Sequence, residues 1–256
     1  MLQDTGLDII DKLTIASAAI SIYKNNFMRT TQIPIIQGKC EQALRESYRG
    51  GVVHVYKPKI TEGEEAYMYD INSLYPASML YDMPIGTPLY IAKPQLKDFY
   101  GFAKARITTP REMKIPFLPT RLKTGEMVVP LGDFGGWYYS EELKYAEQLG
   151  YTIDLEVGYQ FTRGKSIFKD YVTKFYELKR KATNPVQKTI AKLLLNSLYG
   201  RFGMRADPTR AEILTKSEFN HISQNHQIKS YSEIMPDRFL VQYDIHPDYE
   251  SSEDYF

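Results

Sequence analysis

The chain has 256 residues, 43% of them apolar and 25% charged, and a formal net charge of +1, a composition ordinary for a globular chain and unlike a disordered or collagen-like one. No apolar run approaches the roughly 18 residues of a membrane span, and the first residues lack a basic stretch followed by an apolar core, so neither a membrane protein nor a secreted one is expected. The single cysteine, Cys40, cannot close an internal disulfide and reads as small buried filler in a reducing compartment.

Residues 7–29 follow a helical pattern. Tyr48-Arg49-Gly50-Gly51 then opens VVHVYK, a strand candidate, and the polar loop KPKITEGEE leads to AYMYD, a second strand that stops at Asp70. The two strands suggest a hairpin that would bring the Tyr48–Gly51 turn close to Asp70. Asn72, Ser73 and Pro76 mark a turn after that carboxylate. A carboxylate at a strand end can hold a hard divalent cation with oxygen ligands, although Asp is also common in turns for purely local reasons. Residues 76–82 predict a short helix. From Met83 to Gly164 the chain is rich in Pro, Gly and aromatics, with short strand-like runs interrupted by a helix at Glu141–Leu149.

Residues 166–182, with Ile167, Phe168, Tyr171, Val172, Phe175 and Leu178 on one stripe, predict the first of two antiparallel helices. They meet at Ala182-Thr183-Asn184-Pro185. In the second helix Asn184 suits the N-cap, Pro185 the first turn, Gln187 the reciprocal position of a capping box, and Gly200 a left-handed terminator. Lys188, Lys192, Asn196 and Tyr199 fall within about 80° of one another on this helix, at about 100° per residue. Ile190, Leu193, Leu194 and Leu198 are expected to form its apolar side. Such a cationic face suits an anion such as a triphosphate, but periodicity alone fits a merely solvated face equally well. Between Arg163 and Arg210 there are twelve Lys or Arg against Asp170, Glu177 and Asp207, while from Ser232 onward Arg238 faces seven acidic residues. The basic block, with Tyr171, Tyr176, Tyr199 and Phe202 interleaved as stacking surface, is the candidate for nucleic-acid contact, led by Lys179, Arg180 and Lys181. The acidic tail DYESSEDYF reads as a solvated terminus. His221 and His226 lack a spacing that favours joint ligation, so zinc is not expected.

Taken together, Asp70–Pro76 (DINSLYP) and Lys192–Gly200 (KLLLNSLYG) resemble, in the same order, the palm motif DxxSLYP and the fingers motif KxxxNSxYG of family B DNA polymerases. Tyr48–Gly51 resembles the YxGG signature of the protein-primed branch. The opening TGLDIIDKLTIASAAISIYKNNF resembles the segment joining exonuclease to polymerase in the enzymes of linear and mitochondrial plasmids, and the likeness runs to about Gly203.

The resemblance implies an α+β fold: a partial right hand with antiparallel palm strands and two-helix fingers. Residues 1–47 would be the end of the exonuclease domain and a linker, and 48–83 the YxGG turn and palm. Residues 84–164 would continue the palm with an insertion that contacts terminal protein and DNA, 165–205 would be the fingers, and 206–256 a truncated palm segment. The implied activity is DNA-directed DNA synthesis by two-metal phosphoryl transfer, with Mg²⁺ (Mn²⁺ as the alternative), template-primer DNA and deoxynucleoside triphosphates, and a terminal protein as a further partner. Asp70 and the backbone carbonyl of Ile71 would hold metal, with Asp70 and Lys192 catalytic. Lys188 and Lys192 would grip the triphosphate, and Asn196 and Tyr199 would line the nascent base pair. Tyr75 would lie under the sugar and exclude a ribose 2′ hydroxyl by bulk, its simpler role being an aromatic packed under a turn. Tyr48, Gly50 and Gly51 would approach template phosphates.

The family's downstream YxDTDS carboxylate motif does not occur; Asp244, Asp248 and Asp254 lack the Asp-x-Asp spacing. The exonuclease motifs and thumb are also missing. The expectation is therefore a central piece of a polymerase, inactive alone for want of the second carboxylate motif. The alternative is a non-catalytic nucleic-acid-binding remnant. A sugar-nucleotide transferase would leave Lys192–Gly200 unexplained. Abundant Tyr, Asn, Ile and Lys suit an AT-rich mitochondrial or plasmid genome, which favours a mitochondrial location.

Overall fold

The computed structural model describes residues 12–28, 33, 36–204 and 209–244. The chain divides into two compact units, one drawn from Met1–Thr31, Ser73–Tyr81 and Ser166–Phe256, the other from Gln32–Asn72 and Asp82–Lys165.

The first unit is built on helices. In α1 (Ile15–Asn26) Thr14 and Ser17 exchange side-chain bonds with each other's backbone N–H, a reciprocal cap that fixes the start. The expected helix at 7–29 is thus realised over 15–26, with residues 7–11 and 29 outside the described residues. A later helix, α5 (Lys169–Lys181), buries Tyr171, Val172 and Phe175 along the predicted stripe. Its partner α6 (Pro185–Phe202) starts at Asn184, whose side chain accepts from the Val186 N–H at 2.8 Å. Asn184 thus bonds the second helical N–H, not the third, and Gln187 is not its reciprocal partner.

Two expectations for α6 are corrected. Gly200 does not end the helix in a left-handed conformation: the helix runs on to Phe202, and Gly203 caps it at φ −82°. The cause is packing, because the Phe202 ring meets Tyr23 at 5.9 Å and Phe168 at 5.4 Å, and helical continuation is what delivers it there. The buried stripe is Ala191, Leu194, Leu195 and Leu198, whereas Leu193 is 40% exposed. The apolar face therefore lies beside the Lys188–Tyr199 row, not opposite it, so one helix side is packed while the adjacent side stays open. Rings of α1, α5 and α6 interlock: Tyr23 and Phe168 at 5.1 Å, Phe27 and Tyr171 at 5.4 Å, Tyr171 and Phe175 at 4.7 Å. Each such pair adds about 0.5–1.5 kcal/mol beyond area burial. Burial raises the Tyr171 pKa, and its hydroxyl donates to the Leu194 carbonyl at 2.9 Å, tying α5 to α6.

Further along, β7 (Thr209–Leu214), β8 (Ile228–Met235) and β9 (Arg238–Asp244) form an antiparallel sheet in the order β7-β9-β8, with α7 (Lys216–Asn225) packed on it through Phe219 and Ile222. Asp244 is held there by Lys229 at 2.7 Å and Thr209 at 3.1 Å, a structural pairing. Asp248 and Asp254 lie outside the described residues.

The second unit centres on an antiparallel sheet of β1 (Met83–Ala92), β2 (Gly101–Thr108), β5 (Asp133–Tyr139) and β6 (Thr152–Gly164), in the order β1-β6-β2-β5. A short pair, β3 (Thr120–Arg121) and β4 (Met127–Val128), lies between β2 and β5 in sequence. Strand β2 alternates strictly, burying Ala103, Ala105 and Ile107, as a one-faced strand must. That face packs Tyr138, Tyr151, Leu155 and, from α4 (Ser140–Gln148), Leu143 and Ala146. The buried hydroxyls are satisfied: Tyr138 donates to the Pro119 carbonyl at 2.9 Å and Tyr151 accepts the Phe117 N–H at 2.7 Å. Helix α2 (Gly38–Ser47) leads into Tyr48–Gly51, where Tyr48 is extended and no turn is formed. Half-buried in α2, the Cys40 thiol is pushed up to about 11 by burial.

The expected hairpin over 52–70 is not formed, and Asp70 is not at a strand end. The loop does turn back, with the Glu64 N–H bonded to the Thr61 carbonyl at 3.0 Å and Lys57 paired to Glu64. Its flanks do not join. Val53 is 94% exposed, Met68 98% and Tyr69 89%, and a two-stranded hairpin with neither face packed is marginal at best.

Candidate nucleotide and nucleic-acid site

Sequence motifs far apart in the chain meet in the first unit. The turn after Asn72 puts Ser73 in the left-handed region at φ 53°, and α3 (Leu74–Ser78) follows at once, two residues earlier than expected. This sharp entry presents Tyr75 to α6. The rings of Tyr75 and Tyr199 stack 4.4 Å apart with an interplanar angle of 12°, Tyr75 remaining 55% exposed. Beside them the ammonium of Lys179 donates to the Ser73 hydroxyl at 3.0 Å and lies 5.7 Å from the Tyr176 ring. Of the rings expected as stacking surface Tyr176 is exposed and Tyr171 fully buried, while Ser73 was not singled out as a site residue. The signal for Ser73 was available, since it stands inside the DxxSLYP run and a turn serine is often chosen for its hydroxyl.

The cations differ in what holds them. Lys188 and Lys192 are exposed on successive turns of α6, and among the described residues neither pairs with a carboxylate. Asn196 is exposed on the same row, one turn further on. Arg180 and Lys181 both reach Glu177, at 2.9 and 3.2 Å, and their hydrogen bonds hold its carboxyl below the usual range. Exposed pairs of this kind contribute little, so a phosphate can displace Glu177 at small cost.

In the second unit, Tyr48 is exposed at the end of α2, followed by the open glycines Gly50 and Gly51. A Cβ at either would meet nothing within 4 Å, and neither has a positive φ. The chain's own packing therefore gives no reason for glycine at these two positions. Asp70 and Ile71 are also exposed. With no ladder across 52–70, the strand pairing expected to bring Tyr48–Gly51 next to Asp70 is absent.

A divalent cation would need more than these donors. The Asp70 carboxylate and Ile71 carbonyl are hard oxygen ligands, but among the described residues no group of three or more His, Cys, Asp or Glu is clustered as a ligand set. The described residues thus do not by themselves fit a complete divalent-metal site.

Antiparallel helices carrying a lysine row, a stacked tyrosine pair and a sheet unit inserted between the two motifs define a polymerase-type fold. It is similar to solved structures of Phi29 DNA polymerase. With primer-template DNA bound, the likeness has a TM-score of 0.63 at 24% identity over 84% of this chain and 39% of that one. With primer-template DNA and incoming nucleotide, it has a TM-score of 0.61 at 22% identity over 84% and 39%. The sequence likeness is higher to a probable DNA polymerase of Ascobolus immersus, 40% identical over 225 residues, which are 84% of this chain and 18% of that protein. Residues 2–255 match the family described as DNA polymerase type B, organellar and viral, and the chain belongs to that family. It spans about a fifth of the length of the Ascobolus relative.

Proposed function

We propose that this chain contributes the nucleotide-gripping helix and part of the DNA-contacting surface of a protein-primed DNA-directed DNA polymerase. The observation that carries the reading is the Tyr75–Tyr199 stack, which joins the turn of the carboxylate motif to the helix carrying Lys188 and Lys192. Lys188 and Lys192 attract the triphosphate as point charges without having to leave a carboxylate partner. Asn196 and Tyr199 line the nascent base pair. Tyr75 closes the space under the sugar, where bulk rejects a 2′ hydroxyl. Lys179, Arg180 and Lys181 contact the DNA backbone, and Gly50 and Gly51 admit a phosphate too close for any Cβ. Asp70 and the Ile71 carbonyl supply a share of the ligands for a divalent cation, Mg²⁺ first and Mn²⁺ second, the remainder coming from outside the described residues. The sheet of residues 83–164 is the part offered to a terminal protein primer. Among the described residues no helix is long and apolar enough to cross a membrane, and we favour a mitochondrial, plasmid-encoded origin.

A second reading fits the lack, among the described residues, of any group of three or more His, Cys, Asp or Glu: a nucleic-acid-binding segment without turnover of its own. Titrating the polymerase that contains this segment with labelled primer-template DNA, then adding Mg²⁺ and deoxynucleotides, separates the two. Both readings require binding that weakens as salt rises. Extension abolished by Asp70→Ala would refute the second reading; binding unaltered by salt would refute both.

A further inference from the structure

Arg49, the one residue of the Tyr48–Gly51 segment without an assigned role, has surroundings unusual for a cation. Its Nη2 donates to the Trp137 carbonyl at 2.7 Å, and its guanidinium carbon lies 4.0 Å from the centroid of the Tyr138 ring. Its Nε and Nη1 are shielded from water and have no hydrogen-bond partner. Trp137 and Tyr138 belong to β5, one of the two edge strands of the sheet, so Arg49 occupies a carbonyl of an edge strand. On α4, burial pushes the Glu142 carboxyl up, and the Arg49 charge and the Tyr139 backbone N–H draw it back. A shielded cation with idle donors is costly, and among the described residues no carboxylate forms an ion pair with Arg49; the Glu142 charge acts on it from further off. Ring stacking and a carbonyl bond at once require a planar fork, which Arg has and Lys lacks.

Sequence gives the consequence. Gly50 and Gly51 have open surroundings and no side chains of their own, so nothing within them fixes the path of the backbone. The first fixed point before them is Arg49.

We propose that Arg49 is a positioning residue: bonded to the β5 edge and stacked on Tyr138, it holds the Gly50–Gly51 backbone preformed for a phosphate. The proposal rests on the reading of this segment as a DNA contact. The test uses the full chain with Arg49→Ala and Arg49→Lys, measuring primer-template affinity across a salt series and amide exchange at residues 48–53 against β2. Arg49→Ala is expected to bind about tenfold more weakly with an unchanged salt slope, and Arg49→Lys to fall between. Exchange should rise at 48–53 and stay constant in β2. A salt slope reduced by about one would mean that Arg49 contacts a phosphate directly, which overturns the proposal. If the wild-type chain binds no DNA, the reading of the segment fails. The exchange comparison then still decides whether Arg49 fixes it, unchanged exchange in both Arg49 variants counting against it.

Discussion

Tyr75 and Tyr199 stack face to face at 4.4 Å and 12°, so the turn that follows the carboxylate motif is fastened to the penultimate turn of the lysine helix by two aromatic rings. Tyr75 remains 55% exposed, so the ring pair fastens the two elements while leaving part of Tyr75 open.

Its energy is measurable. Tyr75→Leu and Tyr199→Leu, singly and together, should give a coupling of about 0.5–1.5 kcal/mol in unfolding free energy, the usual worth of an aromatic pair beyond its area. Strictly additive losses in denaturant titrations would mean that the rings do not interact in solution.

Ser73 combines an unfavourable backbone with a favourable side chain. Its φ of 53° is strained for any residue with a Cβ, while its hydroxyl accepts from Lys179. Ser73→Ala keeps the strain and loses the bond, and is expected to destabilise by about 1 kcal/mol or somewhat more. Ser73→Gly loses the bond but relieves the strain, so it should be the milder change. Thermal unfolding of the two variants compares them; the reverse order would contradict the left-handed geometry.

The helical half of the fold was legible because its signals are local. Asn184-Pro185 marks the start of α6, and three of the four predicted apolar positions of α5 within 171–178 are buried. The inserted sheet was not legible beyond being strand-rich, since Met83 pairs with Gly164 and nothing local encodes that register. The hairpin over 52–70 failed for the complementary reason: alternating apolar residues advertise strand propensity, but a ladder needs a packed face as well. In the candidate site, Tyr75, Lys188, Lys192, Asn196 and Tyr199 are proposed from motif and periodicity. The Lys179–Ser73 bond spans 106 positions and the Arg49–Trp137 bond 88, so tertiary structure alone reveals them.

Cys40 should be a sluggish nucleophile. Burial moves its pKa from 9.0 to about 11, so in the folded chain the reactive thiolate is roughly a hundredfold scarcer at pH 8 than for an ordinary thiol. Alkylation by iodoacetamide is expected to be slow in the native chain and to accelerate in denaturant. Equal rates in both states would contradict the half-buried location.

Glu218 ties stability to acid. Its carboxylate accepts the backbone N–H and the hydroxyl of Thr215 at the start of α7, which lowers its pKa below the ordinary 4.5. The folded state therefore holds this proton less tightly than the unfolded one. The contribution is present above pH 4.5 and is lost as pH falls through the depressed value. Glu218→Gln should flatten that part of the acid limb in urea titrations, and an unchanged limb would mean that the cap does not form.

The most direct test of the account is steady-state incorporation of deoxy- and ribonucleotides by the polymerase containing this segment, with Lys192→Ala and Tyr75→Val compared against the parent. Lys192→Ala should lower kcat/KM for every deoxynucleotide by about 2–4 kcal/mol in transition-state stabilisation while leaving sugar choice unchanged. Tyr75→Val should leave deoxynucleotide use nearly intact and admit ribonucleotides, because it relieves a clash without deleting a charge. Ribonucleotide exclusion untouched by Tyr75→Val, or a Lys192→Ala variant altered only in sugar choice, would contradict the assignment of this face as the nucleotide site.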